Sequence, residues 1–179
     1  PLRPLFPAGW DCETQVIALV LSYDQENDPD VLAVTGGSAA LFLSDIPFTT
    51  PIAAVRVGLI NGEFVLNPRD NETAVSRLDL AIAGTKTDVV MVEAGAHEVS
   101  EDEIVRAIAF GHREIAKIVE RQEEMARARG RGKRPVRKKE FPADLYAKIE
   151  ASITGPLLEA LSTRGNIESY KAMGRVLQI

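Results

Sequence analysis

The period of the apolar positions changes repeatedly along the chain, and each change predicts an element. Val16 to Ser22 runs apolar at strand length, which predicts a strand covered on both faces. From Pro29 to Leu43 the spacing becomes helical, with Val31, Val34, Ala39 and Phe42 among the apolar positions, and Asn27-Asp28-Pro29 offers a cap and an N1 proline. Gly36 and Gly37 weaken that helix and imply another backbone passing close by. Ala53 to Ile60 and Glu63 to Leu66 are β-rich and flank Asn61-Gly62, a strong hairpin turn signal. Leu78 to Ala83 and Val89 to Glu93, separated by Gly84-Thr85-Lys86-Thr87, predict a second hairpin. Ser100-Glu101-Asp102-Glu103 is a capping box, and Ile104, Ile108, Ile115, Ile118 and Val119 then recur at helical spacing, so one long helix runs to about Arg129.

Past that helix the character of the chain changes. Arg131, Lys133, Arg134, Arg137, Lys138 and Lys139 surround Gly132 and Pro135 without an acid, which predicts an exposed, mobile linker. Asp144 to Ile153, Pro156 to Leu161 and Gly165 to Met173 read as three short helices with few core positions, a bundle too small to be stable unaided. At the other end, prolines 1, 4 and 7 make the start extended or turn-like. A helix, four strands and a long helix make a mixed α/β (α+β) domain. The predicted division is an α/β domain over residues 1–128, a basic linker over 129–140 and an all-helical segment over 141–179.

Composition narrows the classes. At 45% hydrophobic and 26% charged residues the chain is of the folded rather than the disordered kind. It contains no apolar run long enough for a membrane span and no secretory leader pattern, so the expected location is cytoplasmic and without membrane attachment. A lone cysteine, Cys12, has no partner for an internal disulfide or a thiolate metal site. A start at Pro1 rather than Met reads as an excised fragment. The net charge of −5 conceals a segregation: residues 1–124 carry 9 Lys and Arg against 21 Asp and Glu, and residues 125–179 carry 12 against 5.

Few residues invite chemistry. His97 and His112 have no third ligand at zinc spacing and read as solvent-facing or packed. Thr35-Gly36-Gly37-Ser38 lacks the Walker lysine and falls inside the predicted helix, which favours close packing over a phosphate cradle. There is no nucleophile-elbow pattern. Arg3, held among prolines, is either a pre-organised fork for an anionic oxygen or one partner of a rim ion pair. The stretch Arg127 to Lys139 has 8 cations in 13 positions and would attract a polyphosphate backbone, yet it has no aromatic for base stacking. It is therefore either a weak, salt-sensitive and unspecific nucleic-acid contact or a solvating linker.

One ordered series of motifs reaches further. Leu2-Arg3-Pro4-Leu5-Phe6-Pro7, Gln15-Val16-Ile17-Ala18, Asn27-Asp28-Pro29-Asp30, Gly37-Ser38-Ala39-Ala40-Leu41, Ser44-Asp45-Ile46-Pro47-Phe48, Val55-Arg56-Val57-Gly58, Leu78-Asp79-Leu80, Ala83-Gly84-Thr85 and Met91-Val92-Glu93-Ala94 closely resemble the bacterial polynucleotide phosphorylase family. The match is to the later part of its first ribonuclease-PH-like domain, a mixed-sheet half-domain here. The long helix and the residues beyond it resemble the all-helical segment before the second such domain.

The resemblance implies a homotrimeric ring of ribonuclease-PH-like domains that degrades RNA from its 3′ end. Inorganic phosphate releases nucleoside diphosphates, the reaction can run in reverse as a polymerase, and Mg2+ or Mn2+ assists. The partners it implies are RNA, the second ribonuclease-PH-like domain of the same polypeptide and further copies of the protein. It raises Arg3 as an RNA or phosphate contact.

Departures from the active pattern matter as much. Asp28-Pro29-Asp30 stands where the active domain has phosphate-binding serines. Asp79 stands at a metal-ligand position, but Ala81 replaces the accompanying lysine. Asp79 is thus a vestigial metal candidate or an outward residue of an alternating strand. The expectation is a segment with no catalytic residue, no metal or cofactor of its own, and roles in ring assembly and RNA guidance. Two alternatives stand beside it, an RNA-binding adaptor acting through the basic tract and a stand-alone phosphorolytic nuclease of the ribonuclease PH type.

Overall fold

The computed structural model describes residues 1–137 and 142–177, so Lys138 and Lys139 of the basic tract lie outside the described residues. The chain divides into two compact units, Pro1–Arg137 and Lys138–Ile179. The first contains α1 (Asp30–Leu43), β1 (Ala53–Ile60), β2 (Glu63–Leu66), α2 (Asp70–Thr73), β3 (Leu78–Gly84), β4 (Val89–Ala96) and α3 (Glu101–Arg129). Its strands form one sheet in the order β2-β1-β3-β4, and all three pairings are antiparallel.

Local chemistry accounts for these elements. Asn61 and Gly62 both have positive φ, +51° and +84°, the conformation that matches a two-residue turn to the twist of its strands. Ser100 Oγ accepts from the Glu103 amide while the Glu103 carboxylate accepts from the Ser100 amide, which closes the predicted cap of α3. Those hydrogen bonds hold the Glu103 carboxyl below its ordinary pKa.

Strand alternation then sorts the core onto two faces. Val55, Val57, Leu80 and Ile82 are fully buried against Ala107, Ile115 and Val119 of α3. Ala54 and Ala83 turn the other way, into a smaller cluster with Val31 of α1 and Ile52. Gly111 makes the tight α3 contact possible, because a Cβ there would come within 2.8 Å of Ile82 Cδ1 and 3.0 Å of Val57 Cγ2.

A buried polar junction joins α1, α3 and the start of β1. Ile52 N donates to Ser38 Oγ (2.8 Å), Ser38 Oγ donates to Gln122 Oε1 (3.1 Å), and Gln122 Nε2 donates to Ile52 O (2.8 Å). Every member is satisfied, as a buried network must be to avoid a desolvation cost. The small-residue string at 35–38 is thus packing, as expected: Thr35 Oγ1 also accepts from Ala54 N at 3.1 Å. The neighbour implied by the glycine pair is a side chain rather than a backbone. Val16 Cγ1 would lie 3.1 Å from a Cβ at Gly37, while the space at Gly36 is open.

Three expectations need correction. Val16 to Ser22 is not a covered strand: no described strand pairs with it, and Leu19 and Leu21 are 77% and 93% exposed. Apolar length indicates only that a segment would pair if an edge were available; it cannot supply the edge. The basic tract is not a free linker over 131–134. Arg131 N donates to Leu43 O, and Lys133 Nζ donates to the carbonyls of Leu41, Phe42 and Ser44 at 3.1, 2.7 and 2.8 Å, so an ammonium caps the negative end of α1. Burial there pulls the Lys133 pKa down, partly offset by Asp45. Finally, in the second unit a single helix, α4 (Ala143–Ser162), runs through Pro156 where two were expected, followed by α5 (Asn166–Val176). Pro156 removes one amide donor without ending the helix, and it lines a cleft with Ala160 of α4 and Ala172 and Val176 of α5.

Two substitutions test these contacts. Gly111→Ala should destabilise the first unit by up to about 2 kcal/mol in urea unfolding, because overpacking of about 1–3 kcal/mol outweighs a helix-propensity gain of about 1 kcal/mol; a stabilised variant would contradict the close approach. Lys133→Met should lower stability by about 1–3 kcal/mol and speed amide exchange in the last turn of α1, whereas a solvated linker lysine would change neither.

Candidate functional site

Asp28, Asp30 and Asp79, the three carboxylates singled out in the sequence, converge on one guanidinium. β1 and β3 pair with Arg56 opposite Ala81, and β4 continues the row with Glu93 opposite Ala81. Arg56 and Asp79 therefore share a sheet face beside the N-terminus of α1, which brings Asp30. Arg56 Nη1 donates to Asp79 Oδ1 at 2.6 Å, and Nη2 donates to Asp30 Oδ2 at 2.5 Å and to Asp28 Oδ2 at 3.3 Å. The Arg56 side chain is 18% exposed, and its Nε is buried without a partner among the described residues. Burial pulls the guanidinium's pKa down, but the bonds to Asp79 and Asp30 more than offset it and leave it above the ordinary value.

The cleft beside this cluster has a volume of about 260 Å³ and is lined by Asp30, Arg56, Asp79, Ala81, Glu93, Ala94 and Gly95. Chemically it is an acidic pocket with its one cation already engaged. An incoming phosphate would meet more carboxylates than donors, and no lysine or serine among the described residues lines the cleft. Nor does the donor set fit Mg2+ or Mn2+, since Arg56 occupies the space between Asp30 and Asp79 where a divalent ion would sit. Among the described residues no group of three or more His, Cys, Asp or Glu side chains is arranged for metal binding. The outward reading of Asp79 was thus incomplete, because its carboxylate is engaged by a neighbouring strand. Arg56 itself was missed as a site residue; the available signal was a lone charge inside Ala-Ala-Val-Arg-Val-Gly-Leu-Ile.

Arg3 lies elsewhere, in a single 3₁₀ turn (Arg3–Leu5). Its side chain is exposed and forms no hydrogen bond or ion pair with another described residue. It lines an open cavity of about 550 Å³ with Phe6, Trp10, Cys12 and Thr14 among the other walls, and no carboxylate among the described residues lines it. Of the basic tract, Lys133 is turned onto α1. Arg134 pairs with Asp45 (Nε to Oδ2, 3.0 Å) and lies over the Trp10 ring, its guanidinium carbon 5.4 Å from the centroid. Arg131 and Arg137 are exposed. His112 is packed, with Nε2 donating to Thr85 O at 3.1 Å, and His97 is exposed; neither enters a cluster.

Comparison with known proteins gives this geometry a context. Residues 50–114, which include Arg56 and Asp79, match the family described as "3′ exoribonuclease family, domain 2". Over nearly the whole chain, relatives carry the name polyribonucleotide nucleotidyltransferase. That of Koribacter versatilis is 50% identical over 91% of this chain and 20% of its own. That of Aquifex aeolicus is 42% identical over 99% and 23%, and that of Chloroflexus aurantiacus 53% identical over 75% and 18%. The chain thus spans about a fifth of the length of these relatives. In fold it resembles the crystal structure of rice (Oryza sativa) Rrp46, with a TM-score of 0.52 at 17% identity over 57% of this chain and 50% of that one. Residues 50–114 thus match the model of the 3′ exoribonuclease family, domain 2, and the chain is similar, along most of its own length, to a segment of the polyribonucleotide nucleotidyltransferases.

Proposed function

We propose that this chain works as a non-catalytic part of a polyribonucleotide nucleotidyltransferase, a phosphorolytic enzyme that shortens RNA from its 3′ end. In that reading the intact protein is a cytoplasmic homotrimer whose second ribonuclease-PH-like domain supplies the chemistry with Mg2+ or Mn2+ and inorganic phosphate. The present segment contributes ring structure and a path for RNA, with Arg3 as a phosphate contact. Non-specific help would come from the exposed cations of the basic tract, Arg131 and Arg137 among the described ones.

The observation that carries the non-catalytic reading is the Arg56 cluster. Phosphoryl transfer needs cations that neutralise charge developing on the transferred group and a pocket that admits its anionic oxygens. Here the one guanidinium in the pocket is bound to three carboxylates of its own chain, so the geometry stabilises the fold rather than an incoming phosphate. A stand-alone nuclease would need the reverse arrangement. An adaptor acting through the basic tract alone is disfavoured by the inward engagement of Lys133 and Arg134.

With a short RNA and orthophosphate, the isolated chain, verified as folded by circular dichroism, should release no nucleoside diphosphate above a blank, while the intact enzyme releases it readily; turnover by the isolated chain would overturn the reading. Arg56→Ala should destabilise the chain by about 1–3 kcal/mol, less than a fully buried pair because the carboxylates are partly solvated. Adding Asp79→Asn should recover part of that loss, since it removes one of the charges left facing each other. No recovery would mean that the cluster is not an electrostatic unit.

A further inference from the structure

The cavity at Arg3 differs from the Arg56 cleft in ways that point to a ligand. Its cation has no partner and its lining no carboxylate among the described residues, and its volume of about 550 Å³ falls within the range of small-molecule sites. It also has an aromatic wall whose orientation is set in advance. Trp10 Nε1 donates to Thr14 Oγ1 at 3.0 Å, and the indole lies beneath the guanidinium of Arg134. Arg134 is in turn held by both its side chain and its backbone amide on Asp45, through contacts of 3.0 Å to Oδ2 and 2.8 Å from N to the carbonyl. A long, flexible side chain is thereby fixed on a ring, so little rotamer freedom remains to be lost when the ring is used.

From this geometry we infer that the Arg3 cavity is a nucleotide-stacking subsite for single-stranded RNA, in which a base lies against Trp10 and the adjoining phosphate is held by Arg3. This rests on the reading of the chain as an RNA-guiding segment and adds to it a base contact at Trp10 and a positioning role for Arg134. Stacking tolerates any base because every base has a π-face, so the site would grip RNA without reading sequence. It also explains how a basic tract that has no aromatic of its own can take part in base binding: Arg134 supplies the clamp and Trp10 the platform.

Trp10 is the sole tryptophan and Cys12 the sole cysteine of the chain, and both line the cavity, so each is a site-specific reporter. Titration of the full chain with an oligoadenylate should quench tryptophan emission saturably and slow alkylation of Cys12. An abasic oligonucleotide of the same length should bind about tenfold more weakly and quench little. Read by Cys12 protection, Trp10→Leu should lower oligoadenylate affinity about tenfold and abolish the preference over the abasic strand, Trp10→Phe should restore most of both, and Arg3→Ala should weaken the two strands equally. Arg134→Gln should reduce the base preference while Arg3-dependent binding persists. If Arg3→Ala weakens binding but Trp10→Leu leaves the base preference intact, the stacking subsite is wrong and the guidance reading stands. If neither oligonucleotide quenches Trp10 nor protects Cys12, both fall.

Discussion

The Arg56 guanidinium holds carboxylates from two separate stretches of chain, Asp28 and Asp30 at the start of α1 and Asp79 on β3, within 3.3 Å of its nitrogens. Three negative groups cannot approach so closely without a cation among them, so one side chain of β1 helps hold the start of α1 over this end of the sheet. The same contact sets the chemistry of the face. A guanidinium engaged by its own chain is withdrawn from ligand binding, and the carboxylates around it raise the cost of admitting an anion. Structural cohesion and the acidic character of this cleft are two consequences of one electrostatic arrangement.

A second cation shows the same economy at the other end of α1. Lys133 directs its ammonium at three carbonyls of the last helical turn, and its neighbour Arg134 pairs with Asp45 and covers Trp10. The chain leaving α3 is therefore folded back along the first unit before it continues. Charge that looks available in the sequence is partly used in closing a helix end, while Arg131 and Arg137 stay exposed. The two ends of α1 thus have opposite characters, a self-neutralised acidic cluster and a cationic, aromatic-walled opening.

Much of the fold was legible because its signals are local. The bounds of β1 and β2, the Asn61-Gly62 turn and the capping box at Ser100 depend on residues within a few positions of one another, and the structure reproduces them. The errors came where an element depends on a distant partner. Val16 to Ser22 reads as a strand, but no described strand pairs with it. Pro156 reads as a helix break, yet α4 continues through it beside α5. The tract at 131–134 reads as solvent-borne, yet helix carbonyls about 90 residues earlier in the chain receive its ammonium group.

The site divides along the same line. Residue identity alone singled out Asp28, Asp30 and Asp79 as carboxylates and placed Arg3 among prolines, because these depend on side-chain chemistry and sequence position. Only the tertiary structure decided that Arg56 joins the three aspartates, that Gln122 and Ser38 close a polar junction across 84 positions, and that Arg134 meets Trp10. Those pairings arise from strand register and from the crossing of α3 over the sheet. Both are products of packing the whole chain at once, and neither is written in any short stretch of it.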